Sequence, residues 1–142
     1  MDALVEQAFV TPLRIIAHPK GDILHALKAS EGSYQGFGEA YFSTIHAGDT
    51  KGWKKHLRMH MNLVVPVGSI AFYVHHEASG QTRTFILNHD NYQRLSVPPG
   101  NWLAFKGLSE GQNILLNLAN LEHDPLEAIN VDLSAFPLGG AA

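Results

Sequence analysis

The chain has 142 residues, a length that suits one domain around one core. Its 45 % hydrophobic content supports a packed interior, and 16 % charged residues exclude a disordered, highly charged tail. The net charge is −3 and the densest basic cluster is only "KGWKKHLR", which argues against a nucleic-acid partner; the absence of cysteine excludes disulfides, thiol catalysis and thiolate-bound zinc.

The N-terminal "MDALVEQAFVTPLR" has an acidic second residue and no long apolar core. It reads as neither a signal peptide nor a membrane span, so a soluble cytoplasmic protein is expected. Residues 2–9 predict a short amphipathic helical turn. The chain then turns β-like: "GEAYFSTIHAGD", a long strand over 53–66, "SIAFYVHHE", "TRTFIL", "YQRLSV", "NWLAFKG" and "QNILLNLAN" are apolar, aromatic or β-branched runs bounded by Gly, Pro, Asn or Asp. "HDPLEAI" predicts one more short helix, with Asp124 as N-cap and Pro125 in its first turn. No repeat or linker divides the chain. Many short strands at spacings of roughly ten residues predict an all-β sandwich or barrel, a jelly roll before an immunoglobulin-like sandwich.

The stretch "WKKHLRMHMNLVV" carries the chemistry. On a straight strand, side chains alternate faces. Lys54, His56, Arg58, His60 and Asn62 then share one face, and Trp53, Leu57, Met59, Met61 and Leu63 the other. The polar face reads in three ways: metal ligation, acid–base catalysis by a histidine, or ligand binding without chemistry. Arg58 between the two histidines opposes a metal ion. Lys51, Lys54 and Arg58 are cations suited to a phosphate or an enolate oxygen. Tyr41 is either a cavity hydroxyl or a core aromatic. Trp102 is either a platform for a sugar or base or another core aromatic. His75 and His76 point to opposite faces and are expected at the surface.

"GDILHALK", "GFGEAYFSTI", "KGWKKHLRMHMNLVVPVG", "NYQRLSVPPGNWLAFKGL" and "LLNLANLEHDPLEA" together resemble the RmlC-like cupins. Within that group they are most similar to a short subgroup related to dTDP-4-dehydrorhamnose 3,5-epimerases and dTDP-sugar 3,4-ketoisomerases and associated with surface-polysaccharide genes. The resemblance covers about residues 20–130 and implies a cupin-type jelly roll, a homodimer, no cofactor, and a dTDP-4-keto-6-deoxy sugar as substrate. Lys51-Gly52 and Gly68-Ser69 align with family turns, which puts His56 on the family's base; His60 is its rival through "HLRMH". Leu103 stands where the family has a histidine, and Asn117 where it has its catalytic Tyr. His123 stands where it has a second Tyr, and Asp132 where a carboxylate orients the histidine. Tyr41 and His123 are therefore the expected proton partners, and Lys51, Lys54, Arg58, Asn117 and Trp102 the expected substrate contacts. No metal is implied. A cupin that only binds a sugar or nucleotide sugar is the alternative.

Overall fold

Period-two alternation decides the architecture. Met61, Leu63 and Val65, then Ile70, Phe72 and Val74, then Leu95 and Val97 point into one common core from successive strands. A computed structural model describes residues 4–138 and shows the result, an all-β jelly roll of two facing antiparallel sheets. The first sheet runs in the order β1 (Phe9–Pro12), β9 (Gln93–Val97), β6 (Met61–Val67), β11 (Ile114–Ala119), β4 (Glu39–Thr44). The second runs β12 (Ala128–Asn130), β5 (Thr50–His56), β10 (Trp102–Gly107), β7 (Ile70–His76), β8 (Gln81–Leu87). A two-stranded ribbon, β2 (Ile15–Ile16) with β3 (Ile23–Leu24), lies outside them. From β4 to β12 the chain changes sheet at every connection except the β7–β8 hairpin.

The second sheet is covered on both faces. Leu103 points inward, while Trp102 and Ala104 point outward and join Trp53 in a second apolar cluster. Residues 131–138 close over that cluster through Val131, Leu133, Phe136 and Leu138, and Trp53 Nε1 donates to the Leu133 carbonyl at 3.0 Å. The surface expectation for His75 and His76 is corrected, because both are buried, His75 under residues 131–138 and His76 on the other face beside the N-terminal segment. His75 stacks on Phe136 with ring centroids 4.1 Å apart, and His76 Nε2 donates to the Val5 carbonyl at 2.8 Å. On the first sheet, Arg94 is buried and donates to the Ala26 carbonyl, Glu31 and Ser33, each at 2.8 Å, which ties down the loop before β4.

Other expectations are corrected as well. Residues 4–8 are irregular and lead into β1, so the helical turn placed at 2–9 is absent from its described part; residues 2 and 3 lie outside the described residues. "HDPLEAI" forms a single 3-10 turn, Pro125–Glu127, with Asp124 capping it as expected through Leu126 N. The long strand over 53–66 is two strands in different sheets, broken at residues 57–60.

Gly68 and Gly52 are among the glycines required by close approach. A Cβ on Gly68, in the β6–β7 turn at φ +81°, would meet the Gln112 carbonyl oxygen at 2.2 Å. A Cβ on Gly52, at φ +147°, would meet Ala104 Cβ at 2.4 Å and Cα at 2.7 Å on the neighbouring strand. Overpacking of this kind costs about 1–3 kcal/mol, and backbone strain adds about 1–2 kcal/mol. Gly52→Ala should therefore lower the thermal midpoint by roughly 5–15 °C. A midpoint within 1 °C of the parent would show that β5 and β10 do not approach this closely.

Candidate functional site

The site is a cavity of about 320 Å³ between the two sheets. Its walls are mostly apolar, with Met61, Leu63, Phe72, Leu103, Phe105 and Leu115 from the core faces. Into these walls are set Tyr41 and Ser43 from β4, Lys51, Lys54 and His56 from β5, Asn117 from β11 and Asn130 from β12. An apolar cavity with a few convergent polar groups is the usual form of a small-molecule site.

The local structure of β5 explains its polar contribution. Leu103 pairs with Lys54, but Phe105, two residues on, pairs with Lys51, three residues back. The extra residue in β5 makes a bulge, which resets the alternation of faces. Lys51 consequently faces the cavity together with Lys54 and His56, although its odd spacing predicts the opposite face. Lys51 Nζ also donates to the Thr44 carbonyl at 2.7 Å, so its ammonium is held at the β4–β5 corner.

His56 is buried and pairs through Nδ1 with Glu127 Oε1. Glu127, 3 % exposed, accepts through its other oxygen from Arg58 N at 2.9 Å and Met59 N at 3.0 Å. Burial alone would raise the Glu127 pKa. The hydrogen bonds from His56, Arg58 and Met59 outweigh it and hold the carboxyl below its ordinary value of 4.5. A carboxylate accepting from Nδ1–H leaves Nε2 as the imidazole's free nitrogen, on a residue that lines the cavity.

Tyr41 and Asn117 face each other across β4 and β11, and Asn117 Nδ2 donates to the Tyr41 hydroxyl at 2.9 Å. The hydroxyl accepts there, so its own proton is free for another partner.

Tyr41, Lys51, Lys54, His56 and Asn117 therefore converge, and the other expected residues do not. His60 does not share a face with His56. The chain crosses between sheets at 57–60, and His60 lines separate surface grooves beside Glu6 and Pro98. The same crossing reverses the parity expected for β6: Met61 and Leu63 face the cavity, while Asn62 points away from it and accepts from Ser96 Oγ at 2.6 Å. The Arg58 side chain is 64 % exposed and lies 3.8 Å from Asp124, outside the cavity. His123 is exposed. Trp102 belongs to the outer cluster, its Nε1 donating to Glu77 at 2.6 Å. Asp132 caps the 3-10 turn Leu133–Ala135 and does not orient the histidine. The orienting carboxylate is Glu127, which the sequence reading missed. Its one signal is an acidic residue in the segment that pairs antiparallel with β5, where Ala128 lies opposite His56. Among the described residues no group of three or more His, Asp or Glu side chains is placed to hold a metal ion. None of the described helices is long and apolar enough to cross a membrane.

A jelly roll whose inter-sheet cavity carries a carboxylate-held imidazole and two lysines is a small-molecule site with acid–base and anion-binding groups. No family model and no curated protein matches the chain. Among solved structures it is similar to a dTDP sugar isomerase from Desulfovibrio desulfuricans G20, at 30 % identity over 97 % of this chain and 94 % of that one, with a TM-score of 0.88. It shares its fold with ChmJ, a 3'-monoepimerase from Streptomyces bikiniensis in complex with dTDP-quinovose (14 % identity, 91 % and 71 % of the two chains, TM-score 0.79). It also shares it with QdtA, a sugar 3,4-ketoisomerase from Thermoanaerobacterium thermosaccharolyticum in complex with TDP (21 %, 86 % and 86 %, TM-score 0.73). The chain belongs to the RmlC-like cupin family.

The Glu127 pairing has a pH signature. A depressed carboxylate pKa stabilises the fold fully above the ordinary value of 4.5, and that contribution is lost as pH falls through the lower folded-state value. Glu127→Gln should reduce the acid loss of stability, read as the urea midpoint from pH 7 to pH 3. Part of the loss should persist, because Glu31 and Glu77 are also held low by hydrogen bonds from Arg94 and from Trp102 and Lys55. Identical acid slopes in parent and variant would contradict the pairing.

Proposed function

We propose that the protein is a dTDP-sugar epimerase or isomerase that acts on a 4-keto-6-deoxy sugar by metal-independent acid–base chemistry. The observation that carries this reading is the His56 imidazole, fixed by buried Glu127 through Nδ1 with Nε2 left for the cavity. In this scheme His56 Nε2 takes the proton from the carbon beside the ketone. The C–H electron pair becomes the C=C bond of the enolate as the carbonyl π pair moves onto oxygen, and the lysine cations stabilise that oxygen. Tyr41, whose hydroxyl accepts from Asn117 and keeps its own proton to give, is the proton partner on the return step. Lys51 and Lys54 serve the enolate or the diphosphate. The 30 % identical dTDP sugar isomerase supports the substrate class.

The reading includes a homodimer in the cytoplasm and a place in surface-polysaccharide biosynthesis. Sedimentation equilibrium should give the mass of two chains; a monomer at micromolar concentration would count against the dimer.

A second reading, a cupin that binds a nucleotide sugar without turning it over, is favoured by one feature. Leu103 presents an apolar wall at the position where the sequence resemblance implies a histidine. Proton exchange separates the two. In deuterated water with dTDP-4-keto-6-deoxyglucose, label should enter beside the ketone. His56→Asn should slow its entry roughly 10²- to 10⁴-fold, and His60→Asn should leave it unchanged. Tight binding with no label in the parent protein would establish the second reading for that substrate.

A further inference from the structure

The cavity wall contains a polar atom that the fold itself does not use. Asn117 sits in the middle of β11, paired with Tyr41 on one side and Leu63 on the other, and is 1 % exposed. Its Nδ2 donates to Tyr41, but its Oδ1 is buried with no hydrogen-bond partner. Buried polar atoms are almost always satisfied, and an orphan on a cavity wall indicates a partner that arrives from outside. The surrounding wall positions Leu63, Leu103 and Leu115 are apolar, so an apolar residue would satisfy the packing at 117. An amide oxygen only accepts. Ketone and diphosphate oxygens carry no proton to offer it, whereas sugar hydroxyls do.

We propose that Asn117 determines sugar specificity, its Oδ1 accepting a hydrogen bond from a ring hydroxyl of the bound sugar while its Nδ2 holds Tyr41. The inference rests on reading the cavity as a dTDP-sugar site. It assigns the substrate to the sugars that keep the hydroxyl facing Asn117, at C2 or at C3, and sets it apart from the sugar deoxy at that carbon. A site built around a buried acceptor rejects an analogue lacking the donor more strongly than an apolar pocket rejects a changed methylene.

Calorimetric titration tests this with four probes: dTDP, dTDP-6-deoxyglucose, and its 2-deoxy and 3-deoxy analogues. The parent protein should bind dTDP, and should bind one deoxy analogue about tenfold or more weakly than the full sugar. In Asn117→Leu, of similar volume and unable to accept, that discrimination should fall to within about twofold. Asn117→Ala, with its fold checked by circular dichroism, should lose it as well and guards against a packing fault particular to Leu. Discrimination that survives in both variants while the parent binds dTDP would overturn the inference and leave the dTDP-sugar reading standing. Equal weakening of dTDP and the full sugar nucleotide in the variants would put Asn117 on the nucleobase and also overturn it. A parent that binds neither dTDP nor dTDP-6-deoxyglucose would overturn both.

Discussion

The Glu127 carboxylate is the interaction on which the site depends. One oxygen receives His56 and the other receives two consecutive backbone N–H groups, Arg58 and Met59, where the chain leaves one sheet for the other. Those N–H groups have left the β5 ladder before β6 begins, and burying them unpaired would cost about 1–3 kcal/mol each. The carboxylate satisfies both and in doing so fixes the direction in which the chain breaks. It therefore sets which side chains enter the cavity. His56, the last residue of β5, is inside; Arg58, on the bend, is outside. Leu57 N bonds to the Glu127 carbonyl at 2.8 Å, so backbone and side chain of one residue hold the same corner.

The cavity that results is electrostatically unbalanced by design of its positions. The Lys54 side chain and the His56 imidazole line the cavity with Phe72, Phe105 and Leu115, the exposed Lys51 ammonium stands at the β4–β5 corner, and the carboxylate that holds the histidine has both oxygens engaged. In such low-dielectric surroundings an anion is attracted more strongly than it would be at the open surface. Tyr41 is 44 % exposed while its partner Asn117 is buried, so the pair spans from the rim to the interior and offers a hydroxyl at one end and an amide at the other.

Much of the frame was legible in the sequence. Apolar, aromatic and β-branched runs bounded by turn residues located β7, β8 and β10 in "SIAFYVHHE", "TRTFIL" and "NWLAFKG", and the rule of alternating faces holds within each because none is interrupted. The same rule failed across "WKKHLRMHMNLVV", because alternation is a property of one uninterrupted strand. Nothing local announces that residues 57–60 cross to the facing sheet, and the crossing is stabilised by Glu127, more than sixty residues away. The family resemblance pointed to His56, which lies on the cavity wall, and to Asp132 as the orienting carboxylate, which caps its own turn instead. His75 looks solvated only until residues 131–138 fold back over the sheet, and His76 only until the segment around Val5 does so on the other face, contacts made by tertiary packing alone.

The bulge in β5 separates the charge of the cavity from its composition. Lys51 faces inward because β5 has one residue more than β10 needs between the Leu103 and Phe105 pairings. Straightening β5 without a deletion would put Gly52 opposite Phe105 and turn Lys51 to the other face, while Lys54 and His56 keep their places. The position of a bulge, and not only side-chain replacement, is thus a route by which relatives of this chain could adjust the number of cations facing their ligand. A lysine three residues before another can therefore share its pocket, although strict alternation along the sequence would assign the two to opposite faces.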